Sequence, residues 1–295
     1  MFVDGTTLKT VMIFESHLLL TDFIKSHLKG SKTIGFVPTM GALHQGHISL
    51  MKEAISQCEH LVVSIFVNPT QFDNKKDLNK YPKTLDQDIQ LIKKHIHSSK
   101  LTIYAPSVKD VYGKNPISKT YHYDGLENVM EGANRPGHFD GVGTILEFLF
   151  KVVQPDKAFF GEKDFQQLQI VKKLVQKLHL DLEIIGCPIK REANGLAMSS
   201  RNERLSKAGR EKASHIYKTL LKAQKYFKNN SITKTQELVK SIFSKETDFH
   251  LEYFTIASAE TLQPVSRKYK NHNYMGFIVV HLEGVRLIDN IPLPQ

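Results

Sequence analysis

Two histidines three residues apart are the side chains in this sequence best suited to chemistry. His44 and His47 lie in the segment PTMGALHQGH, which also contains Gly41 and Gly46. Histidines at this spacing share one face of a helix, and two imidazoles there can donate hydrogen bonds to a phosphoryl group that gains charge during displacement. A metal site or a purely structural pair is the alternative, although no third metal ligand stands nearby in the sequence.

The chain around these histidines has the form of a nucleotide-binding turn. The segment follows a predicted strand at residues 33–37 and opens a predicted helix at residues 48–58. Glycine lets the backbone turn tightly and approach a ligand. The start of a helix offers N–H groups and the positive end of its dipole, which together favour a phosphate.

The elements that must position this turn alternate between short β-rich runs and helical patterns. Residues 61–67, LVVSIFV, form a near-continuous apolar run, which is typical of a parallel strand covered on both faces. The alternation of strands and helices predicts an α/β fold with a Rossmann-like, doubly wound parallel sheet. Further strands are predicted at 101–104, 157–160 and 182–185, and further helices at 85–96, 146–153 and 168–178.

The pattern changes after about residue 188. A polar loop leads into a basic amphipathic helix within residues 206–230, a second helix near 235–243, and two strand-like runs at 250–257 and 274–282. We therefore predict two domains. The first, 1–186, is a Rossmann-like nucleotide-binding domain, and the second, 187–295, is a smaller C-terminal α+β lid domain.

The amino-acid composition limits the classes of protein to which this chain can belong. The chain has 295 residues, of which 41% are hydrophobic and 24% charged, as in ordinary soluble globular proteins. Two cysteines, Cys58 and Cys187, exclude a disulfide framework and a cysteine-rich zinc module. No apolar run reaches the ~18 residues of a membrane span, and the first residues do not form a signal peptide. We therefore expect a cytoplasmic protein that does not enter a membrane.

The net charge of +10 raises the question of a nucleic-acid partner. Residues 206–230 hold seven basic residues and one acid, Glu211. The same stretch has an apolar seam at helical spacing, so its basic side chains are better explained as the solvated face of an amphipathic helix. We expect no nucleic-acid partner.

Five segments, taken together, resemble one enzyme family. PTMGALHQGH resembles the HIGH motif of the nucleotidylyltransferase superfamily and, over its full length, the pantoate–β-alanine ligase family. VNPTQF, EGANRPGHF, FGEKDFQQ and REANGLAMSSRN follow in the family's order between residues 67 and 202, and LEYFTI and RLIDN agree more loosely. The resemblance implies a ligase of pantothenate biosynthesis that joins pantoate to β-alanine through a pantoyl adenylate, releasing AMP and pyrophosphate from ATP. It also implies that the first domain binds pantoate and that the protein is a homodimer.

The resemblance assigns roles to particular residues. His47, His44 and Lys163 are the expected catalytic residues, with His47 as the proton or hydrogen-bond donor. Gln71 and Gln167 are expected to bind the acyl substrate, because an amide both donates and accepts hydrogen bonds, and Arg135 and His138 support that region. The residues expected to bind ATP are Met40, Gly41, Ala42, Leu43, His44, Gln45, Gly46, His47, Gly161, Glu162, Lys163, Asp164, Lys190, Met198, Ser199, Ser200 and Arg201.

Some of these assignments have alternatives in the residues themselves. Lys163 and Asp164 also fit an exposed ion pair, with Asp164 capping the following helix. Ser199, Ser200 and Arg201 also fit a polar linker between domains. Lys190 is bulkier than the small apolar residue that the family has there, so only its main chain is expected to contact adenine.

Magnesium is implied by triphosphate chemistry, and Asp88 is its expected protein ligand. Some relatives have adjacent acids here, whereas this chain reads Asp86-Gln87-Asp88, which weakens direct coordination and favours phosphates and water as ligands. Another HIGH-motif nucleotidylyltransferase or an aminoacyl-adenylate-forming ligase is the alternative enzyme. A nucleic-acid-binding relative without activity is the alternative of a different class.

Overall fold

The computed structural model describes residues 11–72 and 75–294, so the sequence-based prediction for the extreme N-terminus lies outside the described residues. The chain divides into two compact units. The N-terminal unit contains the described residues up to Glu127, together with Gly132–Gly161 and Gln167–Cys187. The C-terminal unit contains Asn128–Glu131, Glu162–Gln166 and the described residues from Pro188 onward.

The N-terminal unit is built on a six-stranded sheet in the order β1-β4-β3-β2-β5-β6, in which every neighbouring pair is parallel. The strands are β1 (Met12–Phe14), β2 (Ile34–Thr39), β3 (His60–Ile65), β4 (Leu101–Tyr104), β5 (Lys157–Gly161) and β6 (Glu183–Cys187). The predicted parallel sheet is confirmed. All six residues of β3 are buried, which explains its apolar sequence.

Helices connect these strands, as the parallel arrangement requires. They are α1 (His17–His27), α2 (Gln45–Gln57), α3 (Lys75–Lys80), α4 (Leu85–His95), α5 (Val108–Tyr112), α6 (Met130–Asn134), α7 (His138–Val153) and α8 (Phe165–Lys177). Helix α7 begins eight residues before its predicted start and buries most of its length, including Gly141 and Gly143.

The sheet reverses its direction of winding at β2. From β2 the chain adds β3 and then β4 on one side, whereas β5 and β6 lie on the other side. Open α/β sheets bind ligands outside the carboxyl ends of their strands at such a reversal. The turn that carries His44 and His47 follows the carboxyl end of β2, so the topology places both histidines at this position.

The C-terminal unit contains helices α9 (Lys207–Phe227) and α10 (Ile232–Phe243) and an antiparallel sheet in the order β7-β8-β9. The strands are β7 (Phe249–Ser258), β8 (Tyr274–Leu282) and β9 (Val285–Leu293). The predicted α+β architecture is confirmed, but β9 adds a third strand. Helix α9 buries Ile216, Leu220, Ala223 and Phe227, the seam that its spacing predicts.

A tight turn joins β8 to β9. Glu283 and Gly284 have φ angles of 51° and 72°, and Leu282 pairs with Val285. Two successive residues with positive φ favour the short hairpin turn whose twist matches the flanking strands. Among the described residues, no helix is both long enough and apolar enough to cross a bilayer.

Candidate active site

A carboxylate shapes the turn after β2. Asp88 is buried, and its two oxygens accept hydrogen bonds from the backbone N–H groups of Ala42 and Leu43 at 3.0 Å and 2.7 Å. Gly41 has φ of 79°, and a Cβ there would lie 3.0 Å from Asp88 Oδ2. Glycine at this position therefore lets the carboxylate hold the turn from the inside.

His44 and His47 form a reciprocal cap at the start of α2. The N–H of Gly46 donates to His44 Nδ1 at 3.1 Å, and the N–H of His44 donates to His47 Nδ1 at 3.2 Å. A backbone N–H can only donate, so each Nδ1 is an acceptor and each neutral ring carries its proton on Nε2. The ring centroids are 4.2 Å apart. The cap thus sets two Nε2–H donors side by side at a helix N-terminus.

The surroundings of Asp88 do not fit a metal ligand. Its oxygens face hydrogen-bond donors, including the hydroxyl of Thr84 at 3.2 Å. Burial raises the pKa of Asp88, although those hydrogen bonds oppose the shift. Within the described residues, no group of three His, Cys, Asp or Glu side chains is placed to hold a metal ion. Asp88 positions the turn, and its role as a metal ligand stays a prediction.

Gln71 lies in a short 3₁₀ turn, Pro69–Gln71, and its side chain is oriented by two neighbours. Asn68 Nδ2 donates to Gln71 Oε1 at 3.0 Å, and Gln71 Nε2 donates to the sulfur of Met40 at 3.0 Å. The second contact joins Gln71 to the turn that carries the histidines. The structure therefore places Gln71, a predicted acyl-substrate residue, against Met40 of the predicted nucleotide-binding turn.

Asn68 is a site residue that the sequence reasoning missed. It is 1% exposed, and its amide also donates to the carbonyl of Gly141 at 3.1 Å. Its Oδ1 accepts from the hydroxyl of Tyr112 at 2.5 Å. A buried, fully bonded amide orients its neighbours, and Asn68 stands in the VNPTQF segment beside Gln71. The VNPTQF motif includes Asn68, but only the structure shows the direction of its amide group.

Arg135 and His138 contact the backbone of Gln71. Arg135 Nη1 lies 3.1 Å from His138 Nε2. Since arginine only donates, Nε2 is an acceptor, and Nδ1–H of His138 donates to the carbonyl of Gln71 at 2.8 Å. These two residues thus hold the turn that carries Gln71, and their supporting role at the substrate stays a prediction.

The segment after β5 carries three predicted ATP residues. Gly161 ends β5, a neighbour of β2 in the sheet. Glu162, Lys163 and Asp164 form a 3₁₀ turn of the C-terminal unit. Lys163 Nζ lies 3.5 Å from Asp164 Oδ2, a long contact that leaves the ammonium weakly paired to this acid. Gln167 lies in the first turn of α8 and belongs to the N-terminal unit.

In the C-terminal unit, Lys190 to Met198 form a small hairpin, and Ser199 caps the 3₁₀ helix Ser200–Arg204 that follows it. The N–H of Met198 donates to the carbonyl of Lys190 at 3.0 Å, and Arg191 pairs with Ala197. Ser199 Oγ accepts from the N–H of Arg201 at 3.3 Å. Its internal hydrogen bonds give this predicted phosphate-binding segment a defined backbone.

Comparison with known proteins links this site to enzymes. A family model described as pantoate-beta-alanine ligase matches residues 12–292. The pantothenate synthetase of Flavobacterium psychrophilum is 54% identical over 283 residues, which cover 96% of this chain and 100% of the relative. That of Bacteroides thetaiotaomicron is 48% identical over 260 residues, with 88% and 91% covered.

Solved structures give the same result. The crystal structure of pantothenate synthetase from Thermus thermophilus is similar at a TM-score of 0.87 and 34% identity, with 97% of this chain and 100% of that chain covered. Pantoate-beta-alanine ligase from Francisella tularensis, complexed with beta-gamma ATP and beta-alanine, is similar at a TM-score of 0.78 and 34% identity, with 96% and 98% covered.

Proposed function

This chain belongs to the pantoate–β-alanine ligase family, and from that premise we propose that it activates pantoate as an acyl adenylate before joining it to β-alanine. The overall reaction is the ATP-dependent ligation of pantoate and β-alanine. The observation that carries the proposed route is the reciprocal cap of His44 and His47, which supplies two neutral Nε2–H donors beside a helix N-terminus.

In the first step, a carboxylate oxygen of pantoate attacks the α-phosphorus of ATP. The new P–O bond forms as the bond to the β-phosphate oxygen breaks, and pyrophosphate leaves with the electron pair of that bond. Positioning and charge stabilisation supply most of the catalysis in such displacements. The Nε2–H groups of His44 and His47 donate hydrogen bonds to the phosphate oxygens as their charge grows.

The backbone of the turn adds to this stabilisation. The first turn of α2 provides the positive end of the helix dipole, which favours a phosphate, while the Gly46 N–H itself is donated to His44 Nδ1. Residues from Met40 to His47 bind the nucleotide, and the positive φ at Gly41 and Ala42 gives the turn its shape. Asp88 fixes that shape through two backbone hydrogen bonds.

Gln71 and Gln167 bind pantoate. An amide group can donate to the carboxylate and exchange hydrogen bonds with the hydroxyls of the acid. A neutral amide also holds a carboxylate without lowering its nucleophilicity as much as an arginine would. Asn68 and Met40 set the direction of the Gln71 amide, and Arg135 and His138 hold its backbone.

The remaining predicted residues act on ATP. Lys163 supplies a point charge to the phosphates, and Ser199, Ser200 and Arg201 bind the β- and γ-phosphates as they leave. Asp164 binds the ribose hydroxyls, while Gly161, Glu162, Lys190 and Met198 contribute through their main chains. Where Mg²⁺ is required, the ATP phosphates and water would hold it, and it would neutralise part of the phosphate charge.

In the second step, the amine of β-alanine attacks the acyl carbon of the adenylate. The C–N bond forms, the amine loses a proton, and AMP leaves with the electrons of the C–O bond. The proposal further includes a homodimer in the cytoplasm and two domains, 1–186 and 187–295. Each of these follows from the family resemblance or from the sequence pattern.

The test is exchange of labelled pyrophosphate into ATP, which reports adenylate formation alone. Wild-type protein should catalyse exchange with pantoate present and without β-alanine. Exchange that requires an amino acid instead of pantoate would identify the alternative, an aminoacyl-adenylate-forming ligase. An absence of exchange with any acid would contradict adenylate formation.

Substitution of Gln71 tests the pantoate assignment in the same assay. Gln71→Ala should raise the KM for pantoate about tenfold or more, since hydrogen bonds to a charged group are each worth about 1.5–3 kcal/mol, while the KM for ATP changes little. Gln57→Ala is the matched control, because Gln57 is a glutamine at the end of α2 whose amide contacts Glu53 and Lys157. Equal changes in both KM values for Gln71→Ala would contradict the assignment.

A further inference from the structure

Strand β9 carries two buried polar residues in succession. Asp289 and Asn290 are 4% and 3% exposed, and they stand among apolar neighbours such as Leu287 and Ile291. Burying a polar side chain costs free energy unless it is hydrogen-bonded. Apolar residues of similar size would pack here without the cost of burying polar groups. The hydrogen bonds of Asp289 and Asn290 therefore indicate their role.

Asn290 holds the segment that carries Lys163. Its Nδ2 donates to the carbonyl oxygens of Glu162 and Lys163, each at 2.9 Å. An amide nitrogen has two hydrogens, so this side chain uses its full donating capacity on two successive peptide groups. Fixing both carbonyls fixes the backbone from which the Lys163 side chain extends.

Asp289 holds the hairpin that precedes the serines. Arg191 donates to the two carboxylate oxygens of Asp289 at 2.6 Å and 3.0 Å, a bidentate pairing with defined geometry. The same guanidinium donates to the carbonyl of Gly195 at 3.2 Å and lies over the ring of Tyr217, 3.6 Å from its centroid. The hairpin is thereby attached to β9.

The two contacts are linked through one carboxylate. Asp289 Oδ1 accepts a hydrogen bond from the backbone N–H of Asn290 at 2.8 Å as well as one from Arg191. Lys163 is close enough for its charge to act on Asp289. One dipeptide of β9 is therefore bonded to the Lys163 segment and to the hairpin that leads into Ser199–Arg201, the residues that the resemblance assigns to the β- and γ-phosphates.

We propose that Asp289 and Asn290 are positioning residues for ATP, with Asn290 acting through Lys163. This inference rests on the proposed function, since it assumes that Lys163 binds the phosphates. Neither side chain needs to touch the nucleotide. Their role is to hold the Lys163 segment and the 190–198 hairpin in the conformation that accepts a triphosphate.

Calorimetric titration with a non-hydrolysable α,β-methylene ATP analogue tests the role of Asn290. Asn290→Ala should raise the Kd for the analogue about tenfold, which corresponds to two ordinary hydrogen bonds. Gln224→Ala is the matched control, because Gln224 donates a single hydrogen bond to the carbonyl of Pro292 in the same strand. The control should bind the analogue as tightly as wild type.

A double-mutant cycle separates positioning from simple stabilisation. If Asn290 acts through Lys163, Asn290→Ala should weaken binding no further in a Lys163→Met background. Additive losses of affinity, or a lower Tm with an unchanged Kd, would overturn the proposal. If Asn290→Ala does not fold, Asn290→Thr retains one hydroxyl donor on a residue suited to a strand. This variant should bind the analogue more weakly than wild type, and wild-type affinity would again overturn the proposal.

Pantothenate formation by the wild-type protein is measured first. If wild type fails to make pantothenate, the proposed function fails whatever the Asn290 variants do. If wild type makes pantothenate and Asn290→Ala binds the analogue normally, the positioning role alone fails.

Discussion

At the scale of residues, the protonation of two imidazoles is set by the backbone. His44 and His47 each accept an N–H at Nδ1, so a proton added there would point one donor at another. Both Nδ1 atoms therefore act as acceptors in the cap of α2, so a neutral ring has its proton on Nε2. Within the proposed mechanism, this arrangement favours His47 as a hydrogen-bond donor to phosphate over His47 as the source of a transferred proton.

A substitution at His44 separates the two tasks of its ring. In His44→Asn, the amide oxygen replaces Nδ1 as the acceptor for the Gly46 N–H, since asparagine is among the best helix N-caps, but the Nε2–H donor is lost. We expect unchanged thermal stability and adenylate formation slower by about 10²-fold. Pyrophosphate exchange and a thermal melt measure the two effects, and His44→Ala, which loses both groups, is the reference. Full exchange activity in His44→Asn would contradict the donor role.

At the scale of elements, the position of Gln71 depends on how closely α7 approaches the turn before it. A Cβ on Gly141 would lie 2.3 Å from the carbonyl oxygen of Thr70 and 2.6 Å from the Cα of Gln71. These are backbone atoms, which cannot rotate away as a side chain can. Glycine in α7 therefore lets the helix pack directly on the 3₁₀ turn.

Gly141→Ala should push this turn away from α7. We expect a loss of about 1–3 kcal/mol in the free energy of unfolding, the usual cost of overpacking, and a pantoate KM raised about tenfold, since about 1.4 kcal/mol of lost binding is a tenfold change. Urea unfolding and steady-state kinetics measure the two.

Gly143→Ala is the control for this effect within the same helix. Its Cβ would lie 2.1 Å from the hydroxyl of Tyr123, a side chain, and 3.0 Å from the ring of Tyr121. It should destabilise the protein without changing the pantoate KM. A raised pantoate KM in both variants would mean that general loosening, not the contact with Thr70, is responsible.

Element types followed from the sequence where hydrophobic periodicity was clear. The strands Leu101–Tyr104 and Tyr274–Leu282 have the predicted bounds. Strand β9 was missed because Asp289, Asn290 and Pro292 interrupt its apolar pattern, and the sequence does not show that their polar groups are satisfied by other segments. Strand β1 was missed because a strand of three residues is too short to show a hydrophobic periodicity.

The candidate site was less predictable than the fold. The motifs named His44, His47 and Gln71, but side-chain direction depends on long-range contacts such as that of Asn68 with Gly141, 73 residues apart. Asp88 is the clearest example of a residue whose role the sequence alone does not assign. Its charge and place in the chain suggested a metal ligand, whereas its burial against the backbone of Ala42 and Leu43 gives it a role in the turn.

At the scale of the whole molecule, each unit has an apolar core of its own. One core joins α2 and α4 to the parallel strands through residues such as Met51, Ile92 and Val63. The other joins α9 and α10 to the antiparallel strands through residues such as Leu220 and Val239. A region with its own core has the means to fold alone.

A buried histidine makes the stability of the protein depend on pH. His60 is 2% exposed at the start of β3, its Nε2 contacts the hydroxyl of Thr102 at 2.9 Å, and among the described residues nothing bonds to its Nδ1. Burial, with a smaller effect from the charge of Lys32, lowers the pKa of His60 from 6.5 to about 4. Between these values the unfolded chain binds a proton that the folded protein does not.

The free energy of unfolding should therefore fall as pH drops below 6.5. The His60 contribution is present in full above pH 6.5, and its loss approaches about 3 kcal/mol by pH 4. Urea titrations at several pH values, followed by circular dichroism, measure this slope. His60→Gln keeps a polar group toward Thr102 and cannot be protonated, so its slope should be shallower. Identical slopes for the variant and wild type would contradict the assignment.

The location of Asn290 in the last strand has a consequence for biosynthesis. The carbonyls of Glu162 and Lys163 are synthesised more than 120 residues before the amide that fixes them. Translation adds about 5–20 residues per second. The Lys163 segment is therefore without its hydrogen bonds to Asn290 for several seconds after it is synthesised. A nascent chain halted before β9 emerges from the ribosome should fail to retain ATP even if every phosphate-facing side chain has already been made.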